Sequence, residues 1–422
     1  MTTNTGNPGV SGEARPVIIQ KYGGSSVADA EKISTIARKI CDRADTGVSM
    51  VVVVSAMGDS TDHLIELANA VTGDTAPAAR ELDTLLSTGE LVTSTLMAMA
   101  ISAQGHPAVS LSGQQAGIRT DTTHGSARIA DIRADRLRRE LDRGRICVVA
   151  GFQGLAENED VTTLGRGGSD TTAVALGVAL NADRCEIYTD VDGIYTTDPR
   201  LVPSARKLAE INYDEMLEMA SLGAKMNPRS IELGAVYDVP ILVTSTFEDV
   251  PGTLIHGGEQ MMEVRRAVTG VAIDRDVAKI TVRAVEDRPG IVGQIFMPLA
   301  EAGISVDVIV QNASLEGLTD VTFTVSQGDF QRALELTRQV CADMAQDVVG
   351  NSGLAKMSIV GTGMQNGPGY AATMFDSLSK ANVNIEMITT SEIRITCVID
   401  ASSIKDAANA LHNAFELDAA GD

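Results

Sequence analysis

Six short apolar segments, separated by stretches with a helical pattern, dominate residues 17–245 of this chain. Alanine-, leucine- and arginine-rich stretches such as 27–41, 78–104 and 169–181 lie between them. Unbroken apolar strands that alternate with helices are typical of a mostly parallel sheet with helices on both faces. We therefore predict an α/β fold here, with strands at VIIQKY (17–22), MVVVVSA (50–56), AVSL (108–111), RICVVA (145–150), CEIYTD (185–190) and PILVTS (240–245).

Composition excludes several classes of protein. The 422 residues carry a net charge of −22 and no tryptophan, which argues against binding to nucleic acid or anionic membranes. No apolar run approaches the roughly 18 residues of a transmembrane helix. The first 15 residues are small and polar and lack the features of a signal peptide, so we expect a cytoplasmic protein with a disordered tail. The five cysteines are widely spaced, which indicates buried reduced thiols rather than a zinc site or disulfides.

The last third of the chain contains an internal repeat. The PG pairs at 289–290 and 368–369 align, and six apolar positions after each pair match at the same offset of 79 residues, as do Asp307 and Glu386. Two copies of one small α/β unit suggest paired modules rather than one second core. The predicted organisation is a tail at 1–16, a first domain at 17–258, a linker at 259–275 and modules at 276–350 and 355–422.

Three polar stretches are candidates for binding an anion. KYGGSS (21–26) offers a lysine and bare backbone after the first strand, although a glycine turn with a solvated lysine fits it equally well. In LGRGGSD (164–170), three glycines and an arginine precede a helix. The free N–H groups at a helix start can bind an anion. We favour this interpretation over an ordinary capped helix start, which would not explain three glycines beside an arginine. YTDVDGIYTTDPR (188–200) is either a simple turn or a loop that contacts a nucleotide and its metal. Ligands of parallel sheets bind beyond the carboxyl ends of the strands. KYGGSS, SAMGDST and YTDVDG each follow a strand directly, so they can converge on one crevice.

These stretches also carry a family resemblance. KYGGSS, VVVVSAMGDSTD, STGE, SLSGQQAG, VVAGFQG, TTLGRGGSDTTA and YTDVDGIYTTDPR occur in the order and approximate spacing of the aspartokinases. The tail, with VQN…TDVTFTV and NVNIEMITTSEIRI, resembles their paired ACT regulatory modules. The resemblance runs from about Val17 to Leu417. It implies an amino-acid-kinase fold followed by two ACT-like βαββαβ modules. It also implies transfer of the γ-phosphoryl group of ATP to the side-chain carboxylate of L-aspartate, the first step toward lysine, threonine and methionine.

The resemblance implies roles for individual residues. Lys21 and Asp170 correspond to catalytic residues, and Arg166 and Glu90 to the pair that grips the α-carboxylate and α-ammonium of aspartate. The rest of the substrate side comprises Ser55, Asp59, Ser60, Thr61, Gly167, Gly168 and Ser169. The expected contacts to ATP are Lys21, Tyr22, Gly23, Gly24, Ser25, Thr189, Asp190, Tyr195, Thr196, Thr197, Asp198, Pro199, Arg200 and Lys225. Mg²⁺ is expected to arrive with ATP, and no residue is assigned to it directly.

The resemblance further implies feedback inhibition at the ACT-like modules by lysine, threonine or both. It implies a homodimer or a larger assembly, formed through these modules. The expected effector contacts are Ser305, Val306, Asp307, Gln311, Tyr370, Ala371, Asn384, Ile385, Ser391 and Glu392.

One segment departs from the family pattern. Aspartokinases commonly continue their GAK motif as V-L-H-P-R-S, whereas this chain reads GAKMNPRS (223–230), which is one residue shorter and has Asn227 in place of the histidine. The departure bears on the geometry near Lys225.

Two alternatives to an aspartokinase stay open at this point. Another amino-acid-kinase relative, acting on glutamate, N-acetylglutamate or UMP, is disfavoured by the paired repeat. A catalytically inactive amino-acid sensor is disfavoured by the intact Lys21, Arg166 and Asp170. The glycine-rich GTGMQNG (361–367) lies inside the second repeat copy, which is too short for a dinucleotide-binding fold.

Overall fold

A computed structural model describes residues 15–258, 267–312 and 317–419. Residues 1–14 of the predicted tail and 259–266 of the predicted linker lie outside this range. The described residues form two compact units. The first unit takes its residues from Met1–Gly193, Ala209–Tyr213 and Met226–Gly258, and the second from Ile194–Leu208, Asp214–Lys225 and Glu259–Asp422.

The chain up to residue 258 alternates strands and helices, as predicted. All six predicted strands are confirmed, and helices α1, α3 and α5 fill the expected stretches. The elements are β1 (Val17–Tyr22), α1 (Ala30–Ala44), β2 (Ser49–Val54), α2 (Ser60–Thr72), α3 (Ala79–Ala103), β3 (Ala108–Leu111), β4 (Ile118–Thr120), β5 (Ile129–Ile132), α4 (Asp135–Asp142), β6 (Ile146–Ala150), β7 (Gln153–Ala156), β8 (Val161–Thr163), α5 (Gly168–Leu180), β9 (Arg184–Thr189), β10 (Glu210–Asn212), α6 (Tyr213–Ser221), α7 (Pro228–Tyr237), β11 (Ile241–Ser245) and β12 (Thr253–His256).

The main sheet of the first unit has the strand order β10-β12-β11-β9-β1-β2-β6-β3. Strands β11, β9, β1, β2, β6 and β3 run parallel, and β12 is antiparallel to β11. Val51 to Val54 of β2 are fully buried, because helices cover both faces of the sheet. A second sheet of order β5-β4-β7-β8 was not predicted, since its strands span only three or four residues each.

Two features bear on the compartment expected from the sequence. Helix α3 is long and apolar enough to cross a membrane by length and composition alone, but half of its most apolar stretch is buried inside the protein. This burial is typical of a core helix. All five cysteines are free and buried, as predicted.

The second unit contains the repeat. Its elements beyond residue 267 are β13 (Gly270–Glu286), α8 (Ile291–Glu301), β14 (Ile309–Gln311), β15 (Leu318–Val325), α9 (Phe330–Val340), β16 (Asp347–Val360), α10 (Tyr370–Lys380), β17 (Met387–Thr390), β18 (Arg394–Asp400) and α11 (Ile404–Ala414). Helices α8 and α10 begin and end at positions that match at the predicted offset. Both follow a glycine of a PG pair in the left-handed conformation, Gly290 with φ 90° and Gly369 with φ 105°.

The two copies share one sheet but keep separate cores. The strand order β14-β15-β13-β16-β18-β17 places the long strands β13 and β16 side by side in the middle. The first core includes Ile280, Ile295 and Phe323, and the second includes Met357 and Met374. The paired modules expected from the sequence are therefore two cores on one continuous sheet.

The expected linker at 259–275 is a strand from Gly270 onward, which corrects that prediction for its last residues. Val271 pairs with Ile359 of β16 and is buried in the second core. From Ala278 onward, the same strand pairs with β15 and belongs to the first copy. The second copy is thus completed by residues that precede the first copy in the sequence, so that the first copy is inserted into the second.

This insertion can be tested with Val271→Asp. A carboxylate buried in the second core should lower the free energy of unfolding of the second unit by at least about 3 kcal/mol, because a buried unpaired charge is strongly disfavoured. Arg283→Ala, at an exposed position of the same strand, is the control and should change stability little. The measurement is thermal and urea unfolding of the full chain. Equal stability of the two variants would contradict a core role for the start of β13.

Candidate active site

The loops that follow β1 and β2 meet at the carboxyl edge of the main sheet. The amide of Ser55 donates to the carbonyl of Tyr22 at 3.1 Å, and the amide of Gly58 donates to the carbonyl of Gly24 at 3.0 Å. A Cβ atom at Gly24 would lie 2.9 Å from the carbonyl oxygen of Ala56, so this contact requires glycine. The predicted convergence of KYGGSS and SAMGDS is therefore present.

Lys21 and Asp170 form an ion pair at this edge. Lys21 Nζ lies 2.6 Å from Asp170 Oδ1, and each side chain is about 12% exposed. Lys21 comes from the end of β1 and Asp170 from the first turn of α5. The N-cap of α5 is Gly167, in the left-handed conformation with φ 71°, and it makes no side-chain cap. The ordinary capped start considered above is therefore wrong, and Asp170 is left to pair with the lysine.

Asn227, the N-cap of α7, and Arg229, in the first turn of that helix, hold the glycine-rich loop before α5. Asn227 Nδ2 donates to the carbonyl of Arg166 at 2.8 Å. The Arg229 guanidinium donates to the carbonyls of Leu164 at 2.7 Å and Ala127 at 3.0 Å. The loop carbonyls on either side of the Arg166 side chain are thereby fixed.

Glu90 is a buried carboxylate on α3, only 3% exposed. Its Oε1 accepts a hydrogen bond from the amide of Ala56 at 3.1 Å, whereas its Oε2 is buried and has no hydrogen-bond partner among the residues that the structure describes. Burial raises the pKa of Glu90 to about 7. A Cβ atom at Gly89 would lie 2.8 Å from the Ala56 Cβ, so glycine at 89 lets the helix approach this loop closely. An unsatisfied carboxylate oxygen in this position is suited to receive a cationic donor.

Comparison with known proteins identifies this arrangement. The sequence profile of the amino acid kinase family matches residues 16–245, and ACT domain profiles match residues 280–342 and 357–415. An aspartate kinase of Stutzerimonas stutzeri is 48% identical over 96% of this chain and 98% of its own length. An aspartokinase of Corynebacterium glutamicum is 48% identical over 95% of this chain and 96% of its own length. The chain belongs to the aspartokinase family.

Solved structures agree with this assignment. E. coli aspartokinase III in complex with aspartate and ADP superposes with a TM-score of 0.80 at 26% identity, over 94% of this chain and 99% of that one. The same enzyme with lysine and aspartate gives a TM-score of 0.75 over the same shares. The chain is therefore an ATP-dependent aspartate kinase, which decides against glutamate, N-acetylglutamate and UMP as alternative acceptors.

Two further residues predicted for the aspartokinase substrate side lie in the loop after β2 and at the start of α5. Ser60 begins α2, directly after Asp59, and its hydroxyl donates to the carbonyl of Met57 at 2.5 Å. Ser169 is buried where α5 approaches Gly151, since a Cβ atom at that glycine would lie 2.8 Å from the serine hydroxyl.

The predicted ATP contacts are divided between the two units. Thr189 and Asp190 belong to the first unit, where the threonine hydroxyl donates to the aspartate carboxylate at 3.1 Å. The others beyond β9 belong to the second unit: Tyr195, Thr196, Thr197, Asp198, Pro199, Arg200 and Lys225.

Three of the predicted ATP contacts have buried side chains: Tyr22, Thr196 and Thr197. For Tyr22 and Thr196, contacts within the protein correct the predicted roles. The Tyr22 ring is 1% exposed, stacks on Tyr188 at 4.8 Å and donates its hydroxyl to Gln20, so it is a core residue. The hydroxyl of Thr196 lies 3.0 Å from His412 Nε2 of α11 and accepts from the amide of Arg206. Neither side chain is available to a nucleotide in this structure.

The second unit has a cavity of about 470 Å³ at the first PG turn. Of the predicted effector contacts, Gln311 lines it. The others that line it were not predicted individually, although the PG pair was noted: Asp287, Arg288, Pro289, Gly290, Ile291, Val292 and Gly293. Residues 305–307 lie on the segment before β14, where Asp307 pairs with Lys356. Ser391 and Glu392 lie in the exposed turn between β17 and β18.

The same turn in the second copy is filled by an aromatic ring. A Cβ atom at Gly367 would lie 2.8 Å from Tyr370 Cε2, so this ring packs directly on the backbone there. Tyr370 and Ala371 also pack against the second core, as does Ile385. Asn384 donates to Glu386, which pairs with Lys279 at 2.6 Å.

Sequence reasoning missed a second support of the glycine-rich loop. Asp83, 1% exposed on α3, lies 2.8 Å from His124 Nδ1 and accepts from the amide of Gly125 and the hydroxyl of Thr163. The Gly125 carbonyl in turn lies 3.2 Å from where a Cβ atom at Gly165 would be. The sequence offered no clear signal for this role, because Asp83 stands among other polar residues, Arg80, Glu81 and Thr84, at the start of α3.

The buried carboxylate of Glu90 makes a prediction about stability. Its folded-state pKa of about 7 lies above the ordinary 4.5, so ionisation destabilises the fold above pH 7 and this cost disappears toward pH 4.5. Glu90→Gln should therefore raise the free energy of unfolding near pH 8, by up to about 3 kcal/mol, and change it much less near pH 5. Urea unfolding at both pH values measures this, with the exposed Glu81→Gln on the same helix as control. A gain that is independent of pH would show that Glu90 is ionised at an ordinary pKa.

Proposed function

We propose that Lys21 and Asp170 are the catalytic pair that serves transfer of the γ-phosphoryl group of ATP to the side-chain carboxylate of L-aspartate. The 2.6 Å contact between them carries the proposal, because it places a cation and an anion at the loop edge of a parallel sheet. The E. coli relative in complex with aspartate and ADP supports these two ligands.

The reaction needs fixed positive charge rather than a base. A carboxylate has an unperturbed pKa of about 4 and is already ionised near pH 7, so it attacks without losing a proton. The barrier comes from bringing two anions together in a chain of net charge −22. Lys21 and the backbone N–H groups of Gly23 and Gly24 would hold the phosphates, and Arg166 would hold the α-carboxylate of aspartate.

The donors present fit a Mg²⁺ ion that is carried by ATP. Within the described ranges, no three acidic, histidine or cysteine side chains cluster as a dedicated metal cage. Mg²⁺ commonly keeps several waters and takes only one or two protein carboxylates in addition to phosphate oxygens. Asp170 would hold it through water. When bound, the ion would neutralise charge on the phosphates.

Glu90 is proposed to recognise the α-ammonium of aspartate. Its buried Oε2 has no protein partner, and an ammonium would both satisfy it and favour its ionised form. Arg166 and Glu90 would together match the two charges on the α-carbon. A dicarboxylate without the ammonium would leave the glutamate unpaired, which accounts for a preference for an amino acid.

We further propose that the cavity beside α8 binds the inhibitory amino acid. Helix N-terminal N–H groups and Arg288 suit an α-carboxylate, and Asp287 suits an ammonium. The E. coli relative in complex with lysine supports lysine as the effector, and the family resemblance adds threonine. The first copy is favoured over the second because Tyr370 covers the equivalent turn there.

Inhibition is proposed to act through the nucleotide side of the site. The segments 194–208 and 214–225 belong to the same unit as the repeat, and are joined to it by Thr196–His412 at 3.0 Å, Glu218–Arg394 at 2.7 Å and Glu215–Thr362 at 2.8 Å. An effector that favours one state of this unit would therefore shift the predicted ATP contacts. A cytoplasmic homodimer or larger assembly through the repeat completes the proposal.

The catalytic pair is tested with Lys21→Met, Asp170→Asn and the double variant. Each single change should lower kcat about a hundredfold or more, as loss of a transition-state contact does, and should also lower the melting temperature by leaving one charge unpaired. The double variant should recover the melting temperature but not kcat. The assay traps the acyl phosphate of aspartate as its hydroxamate, with the exposed Asp135→Asn as control. Activity near that of the control in a folded single variant would refute the assignment.

The effector site is tested with Gly293→Phe. A Cβ atom at Gly293 meets nothing within 4 Å, so the fold should accept the side chain, which would then occupy the cavity. Inhibition by lysine, threonine or their mixture should weaken at least about tenfold, while turnover without effector stays close to wild type. Gly328→Phe, at an exposed turn of the same unit, is the matched control. Unchanged inhibition in the Gly293 variant would place the effector elsewhere.

A further inference from the structure

Asn227 makes two hydrogen bonds with the two ends of one amide group. Its Oδ1 accepts from the amide of Arg229 at 2.9 Å and so caps the start of α7. Its Nδ2 donates to the carbonyl of Arg166 at 2.8 Å. The first bond serves the helix, whereas the second serves a loop that lies some sixty residues earlier in the chain.

The loop is shaped to receive this amide. Gly167 has φ 71°, and a Cβ atom there would lie 2.3 Å from Asn227 Nδ2 and 3.0 Å from its Cγ. No other residue type than glycine lets the side chain of Asn227 approach this closely. Next to it, the Arg229 guanidinium donates to the carbonyl of Leu164 and so holds the other side of the Arg166 position.

We infer that Asn227 and Arg229 are positioning residues for aspartate binding, because they fix the backbone from which the Arg166 side chain extends. They do not need to touch the substrate. The inference rests on the proposed role of Arg166 as the ligand of the α-carboxylate. Since a guanidinium binds a carboxylate through a planar fork, a loop that can tilt weakens this contact more than it would weaken a point charge.

The two hydrogen bonds of the Asn227 side-chain amide can be tested separately by mutation. Asn227→Asp and Asn227→Ser both keep an oxygen that can cap α7, and both lose the amide donor to Arg166. Each should raise the KM for aspartate about five- to tenfold, the range for one lost hydrogen bond, and leave the KM for ATP within about twofold. The melting temperature should stay near wild type. Asn69→Asp, the same change at an exposed position of α2, controls for the added charge.

A second measurement reports on the loop itself. Deuterium uptake of the peptide covering 164–170 should be faster in both Asn227 variants than in wild type. Unchanged uptake, or an unchanged aspartate KM in both variants, would overturn the positioning role. A change in the ATP KM alone would overturn it as well, because the braced loop would then belong to the nucleotide side.

Arg166→Ala separates this inference from the proposed function. It should raise the aspartate KM far more than either Asn227 variant does. If Arg166→Ala leaves the aspartate KM unchanged, the proposed role of Arg166 fails. If deuterium uptake is nevertheless faster in the Asn227 variants, Asn227 stabilises the loop but has no function in substrate binding. The positioning role would then be rejected together with the role of Arg166.

Discussion

The contact between Lys21 and Asp170 is the interaction on which the active site depends. It joins the end of a central strand to the first turn of a helix, two elements that are almost 150 residues apart in the chain. The pair also resolves an electrostatic conflict. A protein of net charge −22 repels both of its substrates at long range, so its cations must be concentrated at the site. A buried cation and a buried anion each lose hydration, and the 2.6 Å contact between Lys21 and Asp170 offsets part of this cost for both side chains.

The parts of the fold that the sequence predicted are those with a local signature. Each main strand is an unbroken apolar run because helices bury both faces of the sheet, as at Val51 to Val54. The repeat was visible because its two helices keep the same offset. The insertion of one copy into the other was not visible, because Val271 finds its partner Ile359 across the whole first copy. The exposed Arg275 and Asp276, in the middle of the same long strand, resemble a boundary between domains.

The residue types of the candidate site were predictable, but the assignment of the predicted ATP contacts to the two units was not. Glycines next to Lys21 and Arg166 indicated anion binding, because glycine lets backbone N–H groups approach an anion closely. Which of the predicted side chains can reach a ligand depends on their burial. Burial depends on contacts between residues that are distant in the sequence. Tyr22 lies between two predicted ligands but faces the core, where its ring stacks on Tyr188. The segment 194–208 is continuous in sequence with the first unit, yet Val202 packs in the core of the second copy.

The GAKMNPRS departure illustrates how one position can meet two requirements at once. The start of α7 needs an acceptor for a free N–H group, and the carbonyl of Arg166 needs a donor. An amide offers both on one planar group, and so does the neutral imidazole of the histidine that relatives commonly carry here. Serine and aspartate are equally good caps, but a carboxylate has no donor and a hydroxyl is short. The pairing of Asn227 with Gly167, whose missing Cβ makes room for that amide, indicates that the two positions are coupled in this chain.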